Sequence, residues 1–161
     1  ELGYDHVWTV EHHFEDYSFC PDNFVYLAHV AARTKRIKLA TGACIIPWNA
    51  QPLRVAEKAA LLDQLAPGRF IFGMGRGLAK REFSQFGVSM DESRERFDEA
   101  APLILEALET GWFPEHNGKY YQQPKAPLRP EPLSKEWRKT RVTQVAMSPD
   151  SAEQAAKLGV Q

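Results

Sequence analysis

Short apolar runs rich in β-branched residues alternate with stretches of helical period, and this alternation most constrains what the chain can fold into. The runs at 5–10, 37–46, 69–74 and 141–147 read as strands. The second is nearly continuous in apolar residues and ends at Pro47, as suits a parallel strand buried on both faces. Between and after them, 22–34, 52–66, 91–110 and 149–158 read as helices. The first carries Phe24, Leu27, Ala28, Ala31 and Ala32 on one face, and the second Leu53, Ala56, Ala60, Leu61 and Leu65. Asp91 is a candidate N-cap, Pro102 is expected to kink its helix or shift its start, and Ser148-Pro149 is a cap followed by proline at the first helical position. Four strand–helix units predict right-handed crossovers and an α/β fold with a parallel sheet. A doubly wound sheet and a (β/α)8 barrel both satisfy that pattern. A whole barrel needs roughly 250 residues, and 161 supply about half of one.

The ends agree with a partial barrel. Glu1-Leu2-Gly3 reads as the last turn of a helix with Gly3 as its stop, and the last helix closes at Gly159 with Val160-Gln161 free to open another strand. The expectation is a fragment: one domain over 1–161, an open arc of parallel strands, and an irregular excursion over 111–140. That excursion has five prolines between Pro114 and Pro132, a turn signal at Asn117-Gly118 and a short strand expected over 119–122. Twenty basic against 21 acidic residues leave a formal charge of −1, which gives no electrostatic footprint for nucleic acid. Cys20 and Cys44 show neither disulfide nor zinc spacing. No segment reads as a signal peptide or membrane span. A cytoplasmic protein with free thiols is expected.

Active sites of parallel α/β folds lie at the carboxyl ends of the strands. Four segments fall there. Glu11-His12-His13-Phe14 follows the first strand, and its histidines suit acid/base work or anion binding; a solvated loop histidine explains either one equally well. No metal-ligand spacing accompanies them. Thr41-Gly42-Ala43 interrupts a branched strand, leaving room for a flat ligand or marking a bulge. Gly73, Gly75 and Gly77 stand among Arg69, Arg76, Lys80 and Arg81, and matched neither the dinucleotide fingerprint nor a Walker loop; a tight turn accounts for them as well as an anion does. Ser148 and Ser151 open a helix whose first N–H groups suit a phosphate, although capping alone explains both and Asp150 opposes an anion unless its carboxylate points away.

Taken together, Glu11–Phe14, Thr34–Leu39, Ala60–Leu65 with Gly68-Arg69, Gly75–Gly77, Glu82-Phe83 with Phe86-Gly87, Glu92–Arg94, Gly118–Tyr121 and Ser148–Ala152 resemble the bacterial luciferase-like flavin monooxygenases over essentially the whole chain. The resemblance implies a (β/α)8 barrel of which this chain spans the end of the first helix through the fifth strand and its helix. It implies reduced FMN delivered by a separate flavin reductase, O2 as co-substrate, and oxidation of a small organic compound such as an aldehyde. His12 takes the place of the active-site histidine, with Glu11 and His13 supporting it. Gly42 and Ala43 match a pair lying against the flavin ring, joined in luciferase by a cis peptide. Arg76 and Leu78 match pocket residues, Arg94 a phosphate ligand, Ser148 and Ser151 phosphate-binding hydroxyls, and Met147 a backbone contact. Helices 22–34 and 52–66 match those that pack against a partner subunit, which implies a dimer. Two positions depart from luciferase, which has an acidic residue at Met147 and a reactive cysteine at Gly75, so light emission is not implied. Relatives that use deazaflavin F420 as dehydrogenases or reductases leave that cofactor as an alternative. A non-catalytic truncated piece that acts only by association is the alternative of another class.

Overall fold

The computed structural model describes residues 3–18 and 20–161. The expected helix end at Glu1-Leu2 therefore lies outside the described residues, while Gly3 has the left-handed φ of +76°. Strand β1 is His6–Thr9, helix α1 Asn23–Arg33, β2 Lys38–Thr41, β3 Cys44–Ile45, α2 Pro52–Leu65 and β4 Phe70–Gly75. They are followed by α3 Lys80–Gln85, a 3-10 turn Met90–Glu92 and α4 Ser93–Thr110. After β5 Trp112–Phe113, β6 His116–Asn117, β7 Gln122–Gln123 and β8 Ala126–Pro127 come α5 Trp137–Thr140, β9 Val142–Gln144 and α6 Pro149–Leu158.

The main sheet is parallel throughout. β1 pairs β2 with Val7 opposite Leu39, β2 and β3 both pair β4, and β9 runs along the other edge of β4 with Gly73 opposite Thr143. The sheet is open, and parallel strands alternate with helices as in TIM-barrel-type folds. Its helix-facing side forms the core: Leu39, Phe70 and Phe72 meet Phe24 and Leu27 of α1, Val55 and Leu62 of α2, and Phe97, Ile104 and Leu108 of α4, all buried.

The expected second strand, 37–46, is in fact two strands. From Ala40 opposite Ile71 to Cys44 opposite Met74, one chain advances four residues and the other three. The extra residue makes a bulge at Gly42-Ala43, whose peptide is cis. Thr41 repairs the ladder there: its Oγ accepts from the Gly73 N–H and donates to the Gly73 carbonyl, both at 2.8 Å. The approach is so close that a Cβ on Gly73 would lie 1.9 Å from the Thr41 carbonyl oxygen, which explains glycine at 73. The fourth expected strand, 141–147, shortens to Val142–Gln144 because β4 ends at Gly75 and leaves 146–147 no ladder partner.

Helix ends follow cap chemistry. The Asp22 carboxylate accepts from the N–H groups of Phe24 and Val25, Pro52 occupies the first turn of α2, and Ser148 accepts from the Ser151 N–H. The expected cap at Asp91 is replaced: Ser89 caps the 3-10 turn by accepting from the Asp91 N–H, and the α-helix proper begins at Ser93. Helix α4 continues unbroken through Pro102. The expected strand 119–122 shifts to Gln122–Gln123, which pairs with His116–Asn117, because Gly118 to Tyr121 form the connecting turn closed by the Gly118 N–H on the Tyr121 carbonyl. Helix α3 is too short for a periodic signal and was not expected. Among the described residues no helix is long and apolar enough to cross a membrane.

Candidate functional site

A cleft opens at the carboxyl ends of β1, β3, β4 and β9. Glu11, His12, Gly42, Ala43, Arg76, Leu78, Met147 and Ser151 line it, as do Val10, Ile45, Trp48, Gly75, Gly77, Glu82 and Val145. Eight of the eleven site residues that the resemblance implies thus line one cleft. The chain reaches this end in four places because each parallel strand delivers its next residues to the same rim.

The polar floor is built on two carboxylates. Glu11 accepts from the Ile45 N–H at 3.0 Å and from the Trp48 indole N–H at 2.8 Å, and its Oε1 lies 3.2 Å from His13 Nε2. Glu82, 2% exposed, arrives from α3. Its Oε1 accepts from the His13 N–H at 2.7 Å and lies 3.1 Å from His12 Nδ1. His13 is turned away from the cleft into an aromatic nest, with edge contacts to Trp48 and Phe86. It is therefore a support for the loop rather than a wall of the cleft. Behind the floor, burial and the Glu11 carboxylate push the Cys44 thiol well above its usual range, so Cys44 is an inert packing residue.

The walls are apolar and open. Leu78 is 64% and Met147 75% exposed, and Val10 and Val145 are also exposed beside them. Such a concentration of bare apolar side chains at the mouth of one cleft marks a binding surface. Gly42 has Trp8 beneath it, where a Cβ would stand 3.1 Å from the indole. At the rim, Ser148 and Ser151 place their hydroxyls 2.8 Å apart at the start of α6. Arg94 and Ser148 are not cleft walls. Arg94 borders a neighbouring groove with Asp98, Glu153 and Lys157, and its guanidinium lies 3.4 Å from the Asp150 carboxylate, which holds it against the first turn of α6. Arg94 therefore reaches the first turn of α6 through Asp150, while the two serines stand at the start of the same helix. A flat ring on the apolar walls with a phosphate at α6 fits this donor set.

The model of the luciferase-like monooxygenase family matches residues 1–160. The chain belongs to this family. It is 40% identical over 134 residues to the alkanal monooxygenase alpha chain of Aliivibrio fischeri, covering 83% of this chain and 37% of that protein. It is 33% identical over 134 residues to the oxygenase component of the flavin-dependent trigonelline monooxygenase of Acinetobacter baylyi, covering 81% of this chain and 36% of that protein. The crystal structure of monooxygenase RslO1 from Streptomyces bottropensis superposes with a TM-score of 0.85 at 37% identity, covering 99% of this chain and 48% of that one. The chain spans less than half the length of each.

Sequence reasoning missed Glu82 as a site residue. It was noted only within a family-like run, because nothing local to Glu82-Phe83 tells that α3 folds back onto a loop 70 residues earlier. Trp48 was missed too; an indole beside Pro47 reads as a core residue until its N–H is seen on Glu11.

Proposed function

We propose that this luciferase-like chain carries the reduced-flavin site of an FMN-dependent monooxygenase that uses O2 to oxidise a small apolar compound. The observation that carries the reading is the meeting of His12, Gly42, Ala43, Arg76, Leu78, Met147 and Ser151 in one apolar-walled cleft, next to the Arg94–α6 corner. Gly42, Ala43, Leu78 and Met147 would hold the ring, and Arg76 would face its polar edge. Ser148, Ser151, Arg94 and the first N–H groups of α6 would hold the phosphate. Reduced FMN, when bound, supplies the two electrons that activate O2. The chain's own residues orient the ring, keep water from the reacting face with Leu78, Val145 and Met147, and move a proton at His12. Glu11 and His13 keep the His12 loop in place. The oxygenase-component relative supports delivery of FMN by a separate reductase, and the half-exposed Tyr26 of α1 and Leu61 of α2 support a dimer through those helices.

The test is anaerobic titration of the full-length protein that carries this chain, which alone is expected to be inactive, with reduced FMN, riboflavin and F420, followed by mixing with O2 and an apolar aldehyde. Tight binding of reduced FMN and oxygen incorporation into product are expected. Preference for F420, or hydride transfer without oxygen uptake, would replace the reading with that of a deazaflavin oxidoreductase.

A further inference from the structure

We infer that Glu82 is a positioning residue that holds the neutral His12 ring in the tautomer protonated on Nδ1, leaving Nε2 as the proton acceptor at the cleft. The inference rests on His12 being the acid/base group of the proposed site, but its geometric part stands alone. One oxygen, Glu82 Oε1, meets both the His13 N–H at 2.7 Å and His12 Nδ1 at 3.1 Å. A backbone N–H can only donate, so this oxygen serves as an acceptor. Taken as the carboxylate, Glu82 has no proton to give, so the contact with Nδ1 then requires a proton on the ring nitrogen. A neutral imidazole carries one N–H, and with it spent on Glu82 the lone pair lies on Nε2. Among the described residues Nε2 has no hydrogen-bond partner, and His12 lines the cleft.

The placement makes this pairing fixed rather than incidental. Glu82 is nearly fully buried, so its carboxylate has little water to turn toward. The His13 N–H anchors the same oxygen, and the adjacent Phe83 is packed against Trp48. On the other side the His12 ring meets Tyr17 edge-on at 5.1 Å. The ring therefore has one hydrogen-bonded edge and one free edge. A carboxylate that sets the tautomer of an acid/base histidine acts through that histidine.

Nitrogen NMR of the whole protein, labelled at histidine and free of flavin, reads the tautomer directly. At a pH where His12 is neutral, the expected spectrum has the protonated nitrogen at Nδ1. A ring protonated at Nε2, or an even mixture, overturns the inference without any variant. Glu82→Gln is then expected to shift the ring toward a mixture of tautomers and to slow product formation at saturating substrate about tenfold, with reduced-flavin affinity unchanged. In the His12→Ala background the same substitution should change the rate no further, since coupled residues are non-additive. Equal losses in both backgrounds would assign Glu82 a merely structural role. Should Glu82→Gln not fold, Glu82→Asp is measured in its place, with partial retention of the wild-type tautomer expected. If the tautomer is as stated but His12→Ala leaves product yield normal, the functional reading fails and the geometric inference survives.

Discussion

Glu82 with His12 and Glu99 with His116 are two carboxylate–histidine pairs of the same construction in different parts of the fold. Each carboxylate meets one ring nitrogen and at least one backbone N–H: Glu82 that of His13, and Glu99 those of Tyr120 and Tyr121. The first pair lines a cleft walled by bare apolar side chains at the carboxyl end of parallel strands. The second pair ties the β6–β7 turn to the outer face of α4, where Lys119 and Tyr120 add contacts to Glu95. The pair geometry is therefore no signature of catalysis. Each ring has one nitrogen without a partner among the described residues, so the strand end and the open apolar wall distinguish one from the other.

The largest expected effect tests that distinction directly. His12→Ala should lower the rate of substrate oxidation by about 10²–10⁴-fold and change reduced-FMN affinity little, because the phosphate contacts lie at Arg94 and α6. His116→Ala should leave the rate near wild type and reduce stability by about 0.5–1.5 kcal/mol, because it removes one of the hydrogen bonds to a partly buried carboxylate that keeps those from Tyr120 and Tyr121. Stopped-flow oxidation of reduced FMN with substrate, together with thermal unfolding, separates the two. Near-normal product yield in the His12 variant would erase the difference between the pairs.

A third carboxylate, this one wholly buried, sharpens the comparison. Asp63 of α2 is wholly buried, pairs with Arg141, and accepts from the Leu133 N–H at 2.9 Å. Arg141 in turn stacks on the ring of Trp137. Asp63→Ala leaves a buried guanidinium without its counter-charge, and the expected loss is about 3–5 kcal/mol in urea unfolding. Flavin affinity of the molecules that remain folded should be unaltered. A loss below that of His116→Ala would mean that water reaches Arg141 in the variant.

The strand–helix alternation was legible because buried parallel strands and amphipathic helices leave strong periodic marks, and the cap at Ser148 was legible because it is local chemistry, whereas the Asp22 cap was not singled out and the one expected at Asp91 fell to Ser89. The break at Gly42-Ala43 was read as room or a bulge, but the extra residue is seen only once both ladders of β4 are in register. At the site, the residues on the strand ends could be picked out because their position in the unit places them. Glu82 could not, since a helix of six residues has too short a period and its partner is far away in sequence. Asp150 opposes an anion unless its carboxylate points away, and that orientation is not local chemistry: the carboxylate lies 3.4 Å from Arg94, 56 residues earlier in the chain.

The Arg94 corner breaks the comparison in another direction, by separating phosphate from ring binding. Its pair with Asp150 is exposed on both sides and is worth at most about 1 kcal/mol, so a phosphate can displace the carboxylate at small cost. Loss of a charge-assisted contact of about 1.5–3 kcal/mol makes Arg94→Ala bind reduced FMN roughly tenfold to hundredfold more weakly. Reduced riboflavin, without the phosphate, should bind the variant and the wild type alike in the same anaerobic titration. Equal weakening of both flavins would place Arg94 at the ring instead.

The smallest effect is the pH dependence of the structural pair. Burial alone would raise the Glu99 carboxyl, but the hydrogen bond from His116 and the N–H groups of Tyr121 and Tyr120 outweigh it and hold the group below its usual 4.5. A carboxyl whose folded value is depressed contributes stability in full above its unfolded value and loses it as pH falls through the folded one. Glu99→Gln keeps the shape and one acceptor but removes the charge, so about 1 kcal/mol should separate it from wild type at pH 7. That gap should begin to close below pH 4.5, as the wild-type carboxyl takes up its proton and comes to resemble the amide. Thermal unfolding of the two proteins at pH 7, 5, 4 and 3 measures it. A gap that stays constant to pH 3 would mean that the hairpin is held by the shape of the side chain rather than by its charge.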